Sequence, residues 1–406
     1  MNVLPRFLYL FQCVPIFLTN SFFGRVYSLV SDFLWEGRVP RLSRQYLQRP
    51  KSLGGRALPN FRYYYWASNI GVLTAWLRCG PSSPDWLVME TNSAKPVSLT
   101  ALLYSPIKSL TVAYTNNSVV KTSLKIWHQF RRYFGLQLLF SYAPIGNNHV
   151  FSPSLTDKTF VIWSNLGIQT FRDLFIDGIF ATFQQLSAKF TLPSRDFFRF
   201  LQVRSFVHSN FPTFPRLPEE PDLDSLLLPI PRLKGSISVL YTRIASIRSE
   251  SLASIKALWE EDIGESIPDE LWSCILIRVH KSSICARHCL IQCKLVHHVY
   301  YTRARLSKFY STVSPVCDRC QQSPANLIPM FWLCPQLKSF WTEIFVVISD
   351  VVGRKIDPNP QSALFGVFSG PSPLSSSQEN SLSFMTIIAR RFFLNGNHYN
   401  LLSYCG

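Results

Sequence analysis

Three closely spaced cysteines are the residues of this chain best suited to hold a metal ion. Cys317 and Cys320 are separated by two residues, and Cys334 follows fourteen residues later. A Cys-Cys-His-Cys zinc site would place its histidine about four residues before the last cysteine. Pro329 stands there, and proline has no side-chain atom that can bind a metal. The segment is a metal site, a metal site that has lost one ligand, or three cysteines in an apolar core.

A second set of metal-capable side chains recurs every four residues, at Cys285, Cys289, Cys293 and His297. On a helix these residues share one face, with about 5–6 Å between neighbours. A single helix cannot surround a tetrahedral ion with four ligands that point the same way. The pattern therefore favours packing over metal binding.

Motifs for the common catalytic chemistries are missing from the sequence. There is no Gly-x-Ser-x-Gly, no phosphate-binding P-loop, no His-Glu-x-x-His and no Asp-Asp pair of the kind that holds two magnesium ions. The acidic residues Glu260, Glu261 and Asp262 are most simply a solvated helix face. The sequence therefore predicts neither an enzymatic activity nor a small-molecule substrate.

Positive charge is concentrated in two parts of the chain, whose formal net charge is +17. Residues 1–60 hold eight Lys/Arg and two Asp/Glu, and residues 278–308 hold seven Lys/Arg and no Asp/Glu. Such clusters can neutralise phosphates, while interleaved aromatic rings can stack on bases. RNA or DNA is the favoured partner, an anionic membrane surface is second, and a merely solvated basic face is the alternative. The predicted nucleic-acid-binding residues are Arg38, Arg41, Arg44, Arg49, Lys51, Arg56, Arg287, Lys294, Arg303 and Arg305.

The elements that must position these groups are predicted to be helices, and the predicted fold class is mainly α. Apolar residues recur at helix spacing through residues 1–75, which read as two helices, a basic turn-rich loop and a third helix. Proline-rich residues 211–221 have the composition of a linker. The other predicted helices are 121–135, 168–177, 178–190, 194–208, a long basic helix from about 283 to 310, one from Leu337, and one near 378–394.

The N-terminus and the cysteine count leave a second class of protein open. Residues 7–18 are apolar after one arginine, as in a signal peptide, but no small-x-small cleavage site follows. No apolar run reaches the ~18 residues of a transmembrane span. Ten cysteines are an even number, as in secreted disulfide proteins, although scattered apolar contexts favour reduced thiols. We expect an intracellular protein, nuclear or cytoplasmic, with a secreted or membrane-associated basic protein as the alternative.

Short motifs spread over nearly the whole chain resemble one known family. The first four are MNVLPR (1–6), FLWEGRVPR (33–41), GGRALPNF (54–61) and FFRFLQVR (197–204). The others are HHVYYTRARL (297–306), VSPVCDRC (313–320), MFWLCP (330–335), ALFG (363–366) and IARR (388–391). In this order they are similar to the thumb and C-terminal regions of the reverse-transcriptase protein of LINE-type (non-LTR) retrotransposons.

The family implies a multidomain enzyme with an endonuclease, a reverse-transcriptase palm with paired catalytic aspartates, a thumb, and a cysteine-bearing tail that binds nucleic acid. Only the last two are represented in the matching motifs. The resemblance therefore implies a truncated, non-catalytic part of that protein, binding RNA or DNA without strong sequence specificity. A relic copy without function is a further alternative, and nothing indicates an oligomeric state. The predicted regions are a thumb-like region (1–80), a connecting region (81–149), a helical middle module (150–210), a linker (211–235), a basic helical C-terminal domain with a degenerate zinc knuckle at 317–334 (236–394) and a divergent tail (395–406).

In the family's pattern the residue before Met330 is the histidine ligand, so the resemblance implies a site with one ligand replaced by Pro329. Structural zinc sites are closed and four-coordinate. Changes beyond the direct ligands already weaken metal binding by about 10- to 100-fold, and losing a ligand should cost more. A water molecule, His297 or His298 could supply the fourth position. A collapsed apolar turn is favoured over a stable zinc site; zinc is the one cofactor suggested, and none is expected.

Overall fold

Helices make up most of the structure, a computed structural model that describes residues 3–13, 15–40, 42–77, 83–105, 115–136, 140–217, 235–248, 252–322, 324–368, 370 and 372–396. The mainly α fold class predicted from the sequence is confirmed. The chain divides into two units. Unit 1 comprises residues 1–30 and 60–249, and unit 2 comprises residues 31–59 and 250–406. The region boundaries proposed from the sequence stay predictions.

The α-helices are numbered in chain order. They are α1 (Val3–Cys13), α2 (Asn20–Trp35), α3 (Arg44–Gln48), α4 (Phe61–Trp76), α5 (Asp85–Ala94), α6 (Leu99–Leu103), α7 (Ser118–Phe134), α8 (Pro153–Thr156), α9 (Thr159–Asn165), α10 (Phe183–Phe190), α11 (Phe197–Asn210), α12 (Ser236–Ile247), α13 (Ala253–Ile263), α14 (Asp269–Lys281), α15 (Ala286–Val296), α16 (Arg303–Leu306), α17 (Lys338–Val352), α18 (Pro360–Phe365) and α19 (Ser376–Gly396). Shorter 3-10 turns lie at Lys51–Leu53, Phe140–Tyr142, Phe171–Leu174, Ser194–Asp196 and Pro335–Leu337, and a π-helical turn at Pro329–Leu333.

Helix α4 is the centre of unit 1 and contacts α1, α7 and α12. It begins where Asn60 Oδ1 accepts a hydrogen bond from the Tyr63 backbone N–H at 3.2 Å, which satisfies one of the unpaired donors of a first helical turn. All residues from Tyr65 to Ile70 are buried, as expected for a helix that is apolar on most faces. The buried Trp66 donates its indole N–H to Gln129 Oε1 at 3.1 Å, so no polar atom of the ring is left unpaired.

The prediction of an α-helix at 168–177 is wrong, because a 3-10 turn at Phe171–Leu174 is followed there by the first strand of a β-hairpin. Strands β1 (Phe175–Ile176) and β2 (Ile179–Phe180) pair antiparallel, with Phe175 opposite Phe180. Asp177 and Gly178 both have positive φ, 51° and 75°. An Asp-Gly pair with left-handed backbone at both residues forms the tight two-residue turn of a hairpin. This local turn signal outweighs the apolar spacing from which the helix was predicted.

The prediction of one long basic helix from 283 to 310 is also wrong, because α15 ends after Val296. His298 has a φ of 56°, its N–H donates to the Leu295 carbonyl at 2.9 Å, and the Val299 N–H donates to the Lys294 carbonyl at 2.9 Å. These two bonds form a Schellman motif, which usually has glycine at the left-handed position. A histidine occupies it here, so the sequence contains no glycine or proline to mark the end of the helix.

The core of unit 2 lies among α15, α17, α18 and α19, and the helices predicted from Leu337 and near 378–394 are confirmed as α17 and α19. Arg390 is fully buried, and its guanidinium donates to the carbonyls of Ala363 and Leu364 and, at 2.6 Å, to Gln292 Oε1. Those carbonyls belong to the last turn of α18, where acceptors lack partners within the helix. Burial lowers the pKa of Arg390 to about 9.

Gly366 follows the last residue of α18 and packs against α19, and it is predicted to tolerate no side chain. Its φ is 67°, and a Cβ added there would lie 2.7 Å from Ser383 Cα. We expect Gly366→Ala to lower the free energy of unfolding by about 3 kcal/mol, because left-handed strain and overpacking add. Gly353→Ala is the matched control, since φ is 70° but nothing lies within 4 Å of the added Cβ; a loss of about 1 kcal/mol is expected. Urea unfolding measures both, and equal losses would contradict the packing argument.

Candidate nucleic-acid interface and cysteine cluster

Within unit 2, the basic loop that follows α2 lies against α14 and α15. His297 Nε2, just after α15, donates to the Gly54 carbonyl at 3.2 Å, and the ring of His280 on α14 contacts the Gly55 carbonyl. The Tyr46 ring of α3 lies 4.6 Å from the His297 ring, between centroids. The backbone carbonyls of the loop therefore contact buried or half-buried histidine rings, and an aromatic contact lies beside them.

Two adjacent glycines shape this part of the chain: Gly54 lies against α14, and Gly55 lies against the Arg49 backbone of the loop itself. Gly54 has a φ of 73°, and a Cβ there would lie 3.1 Å from Leu276 Cδ2. A Cβ on Gly55 would lie 2.1 Å from the carbonyl oxygen of Arg49, which is inside any allowed contact. Glycine is the residue that permits both the left-handed backbone and the close approach. The Gly54-Gly55 pair is therefore required where the two basic segments meet.

The docked loop brings its cations to buried groups on α14 and α15. Burial lowers the pKa of His280, and the charges of Arg56 and Lys51 lower it further. Burial raises the pKa of the Cys293 thiol to about 11, while Arg56 and Lys294 act in the opposite direction. Arg56 from the loop and Lys294 from α15, which are far apart in sequence, therefore act on the same thiol.

The C-terminal end of α15 has cations from the same two sources. Burial lowers the pKa of His297, and Arg49 of the loop lowers it further. Burial lowers the pKa of His298 to about 4, and Arg305 contributes to the shift. A carboxylate oxygen of Asp262 lies 3.4 Å from His298 Nε2, a distance that would favour the protonated ring. Burial of the ring outweighs this attraction, so the pKa of His298 is lowered.

Arg391 is a member of this group that the predicted set did not include. It lies on α19, donates to His288 Nε2 at 3.1 Å, and together with Arg287 lowers the pKa of His288 beyond the effect of burial. Arg391 belongs to the IARR motif noted in the sequence, but no pattern in the sequence indicates that α19 lies against α15. We call the set of cations beside α14 and α15 the unit 2 basic cluster; it consists of Arg49, Lys51, Arg56, Arg287, Lys294, Arg305 and Arg391.

Four other residues were predicted to bind nucleic acid. Arg38 and Arg44 are exposed. Arg41 lies outside the described residues. Arg303 faces Asp318, with Nε–Oδ2 and NH2–Oδ1 distances of 2.8 and 2.7 Å, so its charge is matched by a carboxylate. It is a weaker candidate for phosphate binding than the cluster residues.

The aromatic rings near the cluster differ in their exposure. Tyr301 is 42% exposed and lies under Arg305, whose guanidinium carbon is 5.5 Å from the ring centroid. Tyr300 is half-buried, and its hydroxyl donates to the Ile291 carbonyl at 3.2 Å. His288 and His297 are buried. Of the rings that the sequence placed among the cations, Tyr301 is the best positioned to stack on a base.

The cysteine pattern divides into a packed set and a cluster of thiols. Cys289, Cys293 and His297 are buried, as the packing interpretation predicts, while Cys285 is exposed just before α15. The sulfur atoms of Cys317, Cys320 and Cys334 lie within 4.8 Å of one another. The first and last of these three are 3.9 Å apart. Thiolates bound tetrahedrally to zinc at about 2.3 Å would be about 3.8 Å apart, so the distances suit a metal.

Backbone donors surround two of the three sulfur atoms. The N–H groups of Arg319 and Cys320 donate to the Cys317 sulfur, and the net effect of these bonds, against burial, is to lower the pKa of that thiol. Burial raises the pKa of Cys334 to about 11, although the Gln336 N–H donates to its sulfur. Arg319 also donates to the Met330 carbonyl at 2.9 Å, which fixes the loop between the two sulfurs.

The residues present do not complete a closed zinc site. Among the described histidines, aspartates and glutamates, none has a ligand atom within 4.8 Å of all three cysteine sulfurs. His297 Nε2 is bonded to Gly54, and His298 Nε2 faces Asp262. Pro329 begins the π-helical turn and offers no donor. The proposal that a histidine folds back to supply the fourth ligand therefore has no support in this geometry.

Comparison with protein-family models gives no match for this chain.

His297 predicts a pH dependence of stability. Its Nε2–H is bonded to Gly54, while among the described residues its buried Nδ1 has no hydrogen-bond partner, so protonation would bury an unpaired charge. The folded pKa is lowered relative to the unfolded value of about 6.5, so stability falls as the pH drops below that value. One such group contributes a slope of up to about 1.4 kcal/mol per pH unit.

We expect the free energy of unfolding in urea to decrease between pH 7 and pH 5, and His297→Gln to make this decrease shallower, because glutamine keeps an N–H donor and does not titrate there. His208→Gln is the control, since this histidine is exposed on α11 in unit 1. Identical pH dependence in wild type and His297→Gln would show that this ring is not held neutral by the fold.

Proposed function

We propose that this chain binds single-stranded RNA or DNA through the unit 2 basic cluster, without strong sequence preference. The observation that carries the proposal is the convergence of cations from residues 49–56, from α15 and the residues after it, and from α19 on one part of unit 2. In the described part of the chain, Lys51, Arg56, Arg287, Arg305 and Arg391 make no ion pair with a carboxylate. Phosphates would balance these charges.

Electrostatic repulsion within the cluster supports a polyanionic partner. Like charges that lie close together raise the free energy of the folded protein, and Lys51, Arg287 and Arg305 are exposed, so a phosphate can reach them. A phosphodiester chain offers one negative charge per nucleotide and releases its counterions on binding, which makes association favourable and salt-dependent. The half-exposed Tyr301 beside Arg305 adds a ring that can stack on any base, which is a sequence-tolerant contact.

We further propose that the chain derives from the thumb and C-terminal regions of a LINE-type reverse-transcriptase protein, has no catalytic role of its own, and acts inside the cell. The supporting observations are the ordered motifs in the sequence and the absence of recognisable catalytic motifs from it. Among the described residues, no helix combines the length and apolarity of a membrane span.

The salt dependence of binding tests the nucleic-acid proposal. We expect the full chain to bind a labelled 20-nucleotide single-stranded RNA, with log affinity falling against log salt by about 0.7 per phosphate neutralised, or about 3.5 for five cations. Lys51→Gln and Arg287→Gln should each reduce this slope by about 0.7 and weaken binding to unrelated sequences equally. Fluorescence anisotropy between about 50 and 200 mM salt measures both the affinity and its dependence on salt.

Lys355→Gln is the matched control, because Lys355 is an exposed lysine of unit 2 whose Nζ lies 3.3 Å from Asp357. It should leave affinity and slope unchanged. No binding at the lowest salt, or equal losses for Lys51→Gln and Lys355→Gln, would refute the proposed interface. Binding to vesicles of anionic lipid in preference to RNA would assign the cluster to a membrane surface instead.

A further inference from the structure

The cysteine cluster brings three soft donors together without a fourth ligand. The sulfur atoms of Cys317, Cys320 and Cys334 lie within 4.8 Å of one another, and those of Cys317 and Cys334 are 3.9 Å apart. Met330 follows Pro329 directly, is half-buried, and lines a small pocket together with Cys317. The Arg319 guanidinium donates to the Met330 carbonyl at 2.9 Å, and the Met330 N–H donates to the Asn326 carbonyl at 3.0 Å, which fixes the Met330 backbone beside that pocket.

The chemistry of these donors discriminates between metals. Structural zinc sites are tetrahedral and draw on thiolate, imidazole or carboxylate ligands, of which this cluster supplies three. Soft thiolate ligands suit copper(I) as well as zinc, whereas carboxylate, carbonyl and water oxygens suit harder ions, so the number of ligands has to discriminate between the two metals. Copper(I) needs no fourth ligand when three sulfurs surround it. A site that is incomplete for zinc is therefore complete for a soft monovalent ion.

We propose that Cys317, Cys320 and Cys334 bind one copper(I) ion in preference to zinc, because their sulfur atoms are close enough to surround a three-coordinate ion. Binding replaces thiol protons by metal, and these protons pass to solvent. The N–H groups of Arg319, Cys320 and Gln336 that point at the sulfurs offset the negative charge of the bound thiolates. The inference does not rest on nucleic-acid binding, since no residue of the unit 2 basic cluster belongs to the site.

The test compares the two metals on the reduced, metal-free full chain without oxygen. Copper(I) is added as its acetonitrile complex and competed with the chromogenic chelator bathocuproine disulfonate; zinc is competed with a chromogenic zinc chelator. We expect one equivalent of copper(I) to be retained and zinc to be given up. Cys334→Ser should weaken copper(I) binding by more than about 100-fold, because it removes a direct ligand; Met330→Leu, which changes only the surroundings of the site, should weaken it by no more than about tenfold.

Cys274→Ser is the control, because Cys274 is an exposed thiol of α14 outside the cluster; its copper(I) binding should equal that of wild type. X-ray absorption of the copper-loaded wild-type chain, which needs no variant to fold, should show sulfur neighbours alone. Nitrogen or oxygen at the copper, retention of zinc against its chelator, or equal losses for Cys274→Ser and Cys334→Ser would overturn the proposal. In the last case the metal would be held adventitiously by thiols in general.

Discussion

The contact on which the candidate interface depends is the close approach of the Gly54-Gly55 backbone to the histidines of α14 and α15. Two carbonyls and two imidazole rings hold it; Gly54 has a left-handed backbone, and a Cβ at Gly55 would overlap the Arg49 carbonyl. Because the loop is rich in arginine and lysine, fixing its backbone also fixes where those charges lie. Without this contact, the cations of the loop would not be held beside those of α15.

The same packing determines the charge state of the interface. His280 and His297 are kept neutral by burial and by nearby arginine and lysine, so the positive potential comes from groups that stay charged at any physiological pH. The neutral rings then serve as hydrogen-bond donors to the loop. Acidification should loosen the docking by charging these rings, rather than strengthen binding by adding charge.

The cysteine loop shows how packing can hold three thiols together without a fourth ligand. Its three sulfurs stay together because the surrounding chain holds them: Arg303 pairs with Asp318, and the Trp341 indole N–H donates to the Phe331 carbonyl at 2.8 Å. Cys317 and Cys334 are also part of the apolar core of unit 2. Hydrophobic packing therefore preserves a geometry that a zinc ion would otherwise be needed to maintain.

Local signals in the sequence determined the helical class, the positions of α17 and α19, the basic character of the loop and the proximity of Cys317 to Cys320, because helix periodicity and short spacings are properties of neighbouring residues. They did not reveal the end of α15, where a histidine takes the left-handed position that glycine usually marks. Only the tertiary structure decided that Arg56, Lys294 and Arg391 converge, that Arg303 is matched by Asp318, and that Met330 faces the pocket of Cys317. These are contacts between segments far apart in the chain, and they depend on how helix faces pack, which residue spacing does not encode.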